Sequence, residues 1–139
     1  MKLSKPRQSG YTLLEIMLVL GIISILVSSG IYLLSGNIDV AKETRIDADI
    51  KTITTQLKTY EMSNYAPPTT EQGLNALVEV PTAPPEPRRW KQLLTELPMD
   101  PYGHPYQYRC PGVHNPTGFD VFSLGPDGVE SADDIGNWK

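Results

Sequence analysis

The sequence predicts an α+β protein in which one long N-terminal helix packs against a small antiparallel sheet. Three patterns predict this fold class. An uncharged apolar run extends from Ile16 to Leu34, a helical repeat of apolar residues follows it, and two short β-rich segments lie near the C-terminus. With 139 residues, the chain has room for one modest domain beyond the apolar run.

The apolar run from Ile16 to Leu34 is long enough to cross a membrane. At roughly 1.5 Å per residue, its helix would span the hydrocarbon core of a bilayer. Lys2, Lys5 and Arg7 precede the run, and removing these three from the twelve Lys and Arg leaves nine bases against sixteen acids. The positive-inside rule then places the start of the chain in the cytoplasm and the rest outside. A secretory signal peptide, cleaved by a signal peptidase that accepts Val27 and Ser29, is an alternative explanation of the same hydropathy.

Composition excludes several classes of function. The body of the chain is acidic, so it lacks the basic face that binds nucleic acid. Cys110 is the lone cysteine and cannot form an internal disulfide. His104 and His114 have no acid or nucleophile at a diagnostic spacing, and no motif of a phosphate-binding or metalloprotease site is present. We predict that the protein is not an enzyme; an anchored enzyme would require His104, Cys110 and an acid to converge in a pocket.

Beyond the apolar run, the helical repeat predicts an amphipathic continuation of the helix from Asp39 to Ser63, weakly interrupted at Gly36-Asn37. Its apolar face consists of Val40, Ile46, Ile50, Ile53, Leu57 and Tyr60. A second helix of two to three turns should follow, capped by Thr70 and presenting Leu74, Leu77 and Val78.

The remaining segments predict a loop and a hairpin. Prolines from Pro81 to Pro87 predict a semi-rigid loop, which we expect four apolar residues to anchor against the long helix: Trp90, Leu93, Leu94 and Leu97. Two strands are predicted at Tyr106–Cys110 and Phe119–Ser123, and a terminal loop at Leu124–Asn137.

Glu15 is the residue that distinguishes the N-terminus from a signal peptide. An ionised carboxylate at the mouth of an apolar run is costly in lipid unless a partner compensates its charge. The segment Gln8-Ser9-Gly10-Tyr11-Thr12-Leu13-Leu14-Glu15-Ile16 resembles the type III signal of type IV pilins and pseudopilins. The resemblance implies that a prepilin peptidase cuts after Gly10 and N-methylates Tyr11, and that Glu15 meets a neighbouring subunit's amino terminus during assembly.

The chain departs from the family pattern at two positions of this segment. The family usually has phenylalanine where this chain has Tyr11, a ring that also suits a membrane interface. It usually has a proline near the end of the apolar run, where this chain has Tyr32. That change removes the usual reason to expect local melting of the helix between about Ser24 and Tyr32.

The resemblance covers nearly the whole chain and narrows the class. The segments 65–77, 97–108 and 122–128 look like signature stretches of the major pseudopilin family of type II secretion. The resemblance implies a pilin fold with a leader peptide at 1–10, a transmembrane helix at 11–35 and a periplasmic domain at 36–139. It also implies a homopolymeric pseudopilus on an inner-membrane platform, with minor pseudopilins, that helps export folded proteins across the outer membrane. The alternatives are a type IV pilus or minor pseudopilin subunit, and a secreted calcium-stabilised binding protein.

The terminal loop is rich in carboxylates. Asp127, Glu130, Asp133 and Asp134 lie within eight positions, and their spacing does not fit an EF-hand. The residues alone are equally compatible with an acidic solvated turn and with a site for a hard cation. The family resemblance implies structural calcium, held by Asp127, Asp133 and the carbonyl of Leu124. The other candidate ligands are Val129, Ser131 and Asp134.

Overall fold

The computed structural model describes residues 10–132 and 134–138; for 32–37 it describes the helical backbone but not the side chains. The elements are helix α1 (Leu13–Asn64), a short 3-10 helix (Leu74–Leu77), and strands β1 (Gln107–Arg109), β2 (Asp120–Ser123) and β3 (Ile135–Gly136). The strands form one antiparallel sheet in the order β1-β2-β3. The chain divides into two compact units, the first ending at Asp39 and the second beginning at Val40.

The first unit contains the apolar part of α1. Leu13–Ile31 is a 19-residue candidate membrane span with a mean hydropathy of 2.3, and none of it is buried within the protein. Two of its serines are satisfied inside the helix, because the Ser24 and Ser28 hydroxyls donate to the carbonyls one turn earlier at 2.7 and 2.8 Å. The helix is continuous through Gly36 and Asn37. These features suit a lipid environment, where every polar group must be satisfied internally.

In the second unit, α1 buries one face. Ile46, Ile50, Ile53, Leu57 and Tyr60 are each at most 5% exposed, as their spacing predicts. The prediction for Val40 is wrong, because its side chain is 63% exposed. Val40 is the first residue of the second unit, more than a turn before Ile46, and the core does not extend that far along the helix.

The predicted second helix is also shorter than expected. A single 3-10 turn, Leu74–Leu77, replaces two to three turns of α-helix. The Thr70 hydroxyl does not cap it; it donates to the Cys110 carbonyl and accepts from the Cys110 N–H, both at 2.9 Å. The turn still buries Leu74, Ala76 and Leu77, while Val78 is only half-buried. A long-range contact with the end of β1 therefore uses the hydroxyl that the sequence assigned to a cap.

The segment after the prolines is fastened to this 3-10 turn. The Trp90 indole N–H donates to the Ala76 carbonyl at 2.8 Å, and the N–H groups of Leu93 and Leu94 donate to the Leu77 carbonyl at 2.9 and 3.0 Å. Trp90, Leu93, Leu94 and Leu97 also pack against the core that α1 lines. The predicted anchoring is confirmed, with the 3-10 turn as the hydrogen-bonding partner.

The sheet contains the predicted hairpin and one strand more. Tyr108 pairs with Val121 in the β1–β2 register. β3 falls inside the segment Leu124–Asn137 that the sequence predicts as loop, and it pairs Gly136 with Phe122. Two residues, one of them glycine, carry too little pattern to indicate a strand. Asn137 then extends the ladder, because its N–H donates to the Val121 carbonyl at 3.0 Å and its Oδ1 accepts from the Val121 N–H at 3.2 Å.

Close ring packing holds the end of the described chain. The Trp138 ring lies where a Cβ on Gly136 would be, so any other residue there would collide with it. The same ring stacks on His114 with centroids 3.9 Å apart, and its centroid lies 5.6 Å from that of Phe122. Gly136 therefore belongs to strand β3 and also leaves the space that the Trp138 indole occupies.

Asp120 organises the turn between β1 and β2. Its side chain is buried, at 1% exposure, and it accepts from the N–H groups of Val113, His114 and Asn115 and from the Asn115 side chain at 2.6 to 3.0 Å. Burial opposes ionisation of Asp120, but these hydrogen bonds outweigh it and hold the pKa below its usual value. Gly112 approaches so closely that a Cβ would collide with this carboxylate.

We expect Asp120→Asn to destabilise the second unit, because an amide cannot accept every N–H that the carboxylate accepts. Each donor left unpaired costs about 1–3 kcal/mol. A group with a depressed folded pKa contributes stability that is present above its unfolded pKa and is lost as the pH falls through the folded pKa. The free energy of unfolding of the wild type should therefore fall below about pH 4. That of the variant should be smaller at neutral pH and should fall less over the same range.

Tryptophan fluorescence of the full chain in mild detergent can follow this unfolding, since Trp90 and Trp138 both lie in the second unit. The matched control is Asp47→Asn, because Asp47 is exposed on α1. Equal thermal midpoints for Asp120→Asn and wild type at neutral pH would contradict the role assigned to Asp120.

Candidate functional site

The predicted processing site lies just ahead of α1. Gly10 and Tyr11 are exposed, precede the helix that begins at Leu13, and have no regular secondary structure. A Cβ at Gly10 would meet no atom within 4 Å, so the glycine is not required by packing. The rest of the predicted leader lies outside the described residues. The Gly10-Tyr11 peptide bond is thus in an accessible segment of the kind that a peptidase can bind.

Thr12 caps the helix and positions Glu15 in its first turn. The Thr12 side-chain oxygen accepts from the Glu15 N–H at 3.2 Å, and its carbonyl accepts the same N–H at 3.1 Å. A carboxylate in the first turn interacts favourably with the helix dipole. Glu15 is exposed inside the candidate membrane span, and none of the salt bridges among the described residues includes it. In lipid, this charge calls for a cation from outside the described chain.

The terminal loop begins with two glycine-dependent turns. Gly125 and Gly128 have φ values of 68° and 67°, a region that favours glycine. Between them, Asp127 is exposed and one of its oxygens accepts from the Val129 N–H at 3.1 Å. Leu124 is half-buried at the entry to the loop, and Val129 is exposed. The candidate ligands Leu124, Asp127 and Val129 thus lie in one short turn.

The second half of the loop separates its carboxylates. Asp134 is buried, at 4% exposure, and its N–H donates to the carbonyl of the exposed Ser131 at 3.4 Å. Asp133 lies outside the described residues. Glu130 instead pairs with Arg109 at 2.9 and 3.2 Å, and this interaction lowers the pKa of Glu130. Within the described ranges, no three His, Cys, Asp or Glu side chains gather as metal ligands do.

A buried polar network, which sequence reasoning missed, supports the base of this loop. The Ser123 hydroxyl donates to Asp100 Oδ2 at 2.6 Å and accepts from the Gly125 N–H at 3.1 Å. The other Asp100 oxygen accepts from the N–H groups of Tyr102 and His104. A turn-forming Asp-Pro-Tyr-Gly sequence was the available signal, since aspartate commonly accepts from N–H groups two residues further along.

The residues considered for catalysis have structural contacts instead. His104 Nδ1 lies 3.1 Å from the Gly125 carbonyl, and its ring packs beneath Gly128. Cys110 Sγ contacts the Gly118 carbonyl at 3.7 Å, and His114 stacks on Trp138. These contacts attach His104 to the terminal loop and Cys110 and His114 to other parts of the fold.

Comparisons with known proteins identify the family of the chain and agree with its fold. A family model described as type II secretion system (T2SS), protein G matches residues 34–138. A second model, the prokaryotic N-terminal methylation motif, matches residues 5–31. Type II secretion system core protein G of Pseudomonas aeruginosa is 44% identical over 142 residues, covering 98% of this chain and 99% of that protein. The protein of the same name from Dickeya chrysanthemi is 48% identical over 136 residues, covering 96% and 88%.

A solved structure matches the fold. The crystal structure of the major pseudopilin from the type 2 secretion system of enterohaemorrhagic Escherichia coli has a TM-score of 0.69 and 45% sequence identity. The match covers 76% of this chain and 93% of that one. Together with the family model, it confirms the long helix and small antiparallel sheet of a pseudopilin. The chain therefore belongs to the type II secretion system protein G family and is a structural pseudopilin rather than an enzyme.

Proposed function

We propose that this chain polymerises into a periplasmic pseudopilus that helps export folded proteins across the outer membrane. Family membership over nearly the whole chain, at about 45% identity to named relatives, carries the proposal. The exposed apolar helix Leu13–Ile31 supports an inner-membrane anchor before assembly, with the second unit in the periplasm. The partners would be further copies of the chain, minor pseudopilins and the inner-membrane platform.

Prepilin peptidase processing at Gly10-Tyr11 is the first step of this proposal. The accessible glycine, the methylation motif at residues 5–31 and the helix beginning directly afterwards support it. Cleavage removes the basic leader and creates a cationic amino terminus at Tyr11. Glu15 lies four residues further along, and we assign it the pairing with the amino terminus of a neighbouring copy.

We expect the mature protein, extracted from membranes of cells that contain prepilin peptidase, to begin at N-methylated Tyr11. Intact mass measurement checks this directly. Gly10→Ala should slow removal of the leader, because a peptidase that binds the exposed glycine then has to accommodate an added methyl group. A mature chain that begins at Gly30 would indicate signal peptidase cleavage and a secreted protein, and it would contradict the filament proposal.

Glu15→Ala should leave membrane insertion intact and reduce the yield of sheared fibres at least tenfold. Removing a carboxylate makes insertion into lipid more favourable, so only a role in assembly predicts loss. Membrane fractionation and fibre quantification measure the two effects separately. The matched control is Glu61→Ala, an exposed acid near the other end of the same helix. Wild-type fibre yield from Glu15→Ala would remove the proposed pairing.

Calcium in the terminal loop is the second part of the proposal. Calcium binds oxygen ligands, and the candidate positions supply carboxylates from Asp127, Asp133 and Asp134 and carbonyls from Leu124, Val129 and Ser131. The buried carboxylate of Asp134 supports a cation here, because a nearby positive charge reduces the cost of burying an ionised group. The ion would fasten a loop that no disulfide closes.

We expect chelation of calcium to lower the thermal midpoint of the second unit. A ligand that binds only the folded state stabilises it by about 2.7 kcal/mol at a hundredfold excess over its dissociation constant, which corresponds to several degrees. Asp127→Asn should abolish most of the difference between calcium and chelator, whereas Asp47→Asn should preserve it. Fluorescence melting of the full chain in detergent measures both. Superimposable curves with calcium and with chelator would show that the loop is a solvated turn.

A further inference from the structure

The end of α1 carries backbone strain at an exposed tyrosine. Tyr65 follows Asn64, the last helical residue, and has a φ of 67°. Its N–H donates to the Glu61 carbonyl at 2.7 Å, which closes the helix end. Glycine or asparagine usually occupies this position, because a bulky side chain is strained in the left-handed region. The Tyr65 side chain is nevertheless 76% exposed, so burial does not explain its presence.

Three exposed cations lie near this end of α1, and one of them contacts the tyrosine ring. The Arg88 guanidinium is 5.7 Å from the centre of the Tyr65 ring, and the Arg89 N–H donates to Asn64 Oδ1 at 2.8 Å. Arg89 and Lys91 border a small surface cavity with the last turns of α1. None of the salt bridges among the described residues includes these cations. We call Tyr65, Arg88, Arg89 and Lys91 the tip patch.

A complementary charge lies further back on α1. Glu43 and Asp47 are exposed and one turn apart, and the described residues give neither a salt bridge. Two nearby cations are engaged within their own unit. Lys42 Nζ lies 4.5 Å from the centre of the Tyr102 ring, and Arg45 pairs with Asp49 at 3.7 Å. We call Glu43 and Asp47 the acidic face.

The tip patch and the acidic face cannot meet within one chain. Asp47 and Asn64 are seventeen positions apart on one continuous helix, which is about 26 Å at the α-helical rise. Two copies displaced along the helix axis can bring them together. Such a contact joins two different surfaces, and head-to-tail contacts of this kind produce rings when the rotation closes and open polymers when it does not, rather than two-fold dimers.

We propose that the tip patch of one copy binds the acidic face of a second copy. The inference rests on the proposed function as a polymer, and it identifies an axial contact within it. Charge complementarity favours this occupant, and tyrosine and arginine are enriched at protein interfaces. The strain at Tyr65 fits the same role, because strained residues concentrate where a side chain must be displayed for function.

Disulfide cross-linking can test this contact, because the chain has only one native cysteine to remove. In the full chain, Cys110→Ser removes the native thiol, and Arg89→Cys with Asp47→Cys places one thiol on each surface. Oxidation of assembled fibres should produce a ladder of covalent multimers, because the two positions are too far apart to bond within one copy. The control pair is Arg89→Cys with Thr52→Cys, since Thr52 is an exposed position about 140° around the helix from Asp47. It should give at least fivefold fewer multimers.

The outcomes separate this contact from the proposed function. Fibres that form without a disulfide ladder overturn the axial contact and leave polymerisation standing. Copies that stay monomeric in the membrane overturn both. Cross-links between this chain and an exported protein, with none between copies, would assign the tip patch to a different partner and overturn the proposal.

Charge exchange gives an independent test. Reversing the tip patch with Arg88→Glu, Arg89→Glu and Lys91→Glu should lower fibre yield at least fivefold, and adding Glu43→Lys with Asp47→Lys should restore at least half of it. Absence of rescue, when tryptophan fluorescence shows that all variants are folded, contradicts the pairing.

Tyr65→Asn should raise the thermal midpoint and still lower fibre yield. An unchanged yield would exclude Tyr65 from the contact.

Discussion

One helix, α1, combines a segment suited to lipid with a segment suited to water, and the rest of the structure depends on this combination. Over Leu13–Ile31, α1 is apolar on all sides, and the hydroxyls of Ser24 and Ser28 donate to its own carbonyls. From Ile46 to Tyr60 only one face is apolar, and that face is buried. Because α1 supplies a large share of the core, the remaining segments have only to cover this one face. The anchor and the scaffold of the folded unit are therefore parts of the same element.

A thin core needs other means of fixing its loops, and buried polar groups provide them. Asp120 gathers the N–H groups of the β1–β2 turn, while Asp100 and Ser123 join a second turn to the terminal loop. Each group is at most 4% exposed. Such networks are costly when one member is lost, since the others remain buried without partners. They hold the loops in a chain whose single cysteine cannot form an internal disulfide.

The sequence predicted the elements whose patterns are local. The spacing of Ile46, Ile50 and Ile53 identified the buried face of α1, and alternating residues identified β1 and β2. It did not predict the contact of Thr70 with Cys110, forty residues away, or that the second helix is a single 3-10 turn. The sequence also did not predict β3, because this strand is defined by its pairing with β2 and not by its own composition. Val40 is exposed because the buried core along α1 begins only at Ile46. The spacing of apolar residues does not show where along the helix that core begins.

The candidate site was predictable to a similar extent. Motif spacing pointed to Gly10, Tyr11 and Glu15, whose roles in processing and assembly stay predictions; the methylation-motif model matches residues 5–31, which contain them. Composition located the acidic terminal loop, but it did not reveal that Glu130 turns toward Arg109 or that Asp134 is buried. Those outcomes depend on where the loop sits against β1 and β2. The polar support of the loop by Asp100, Ser123 and His104 likewise comes from residues far apart in the chain.

The position of β3 along the chain affects when the protein can fold. β3 follows every other element, and Asn137 completes the hydrogen bonding of Val121 only after it. During synthesis, α1 emerges first, and its buried face has no partner until the Leu74–Leu77 turn and the strands have followed. Contacts between distant segments form slowly in any case, because loop closure must precede them. The sheet therefore cannot close until the chain has emerged through Asn137, and the apolar segment of α1 is exposed well before the folded unit exists.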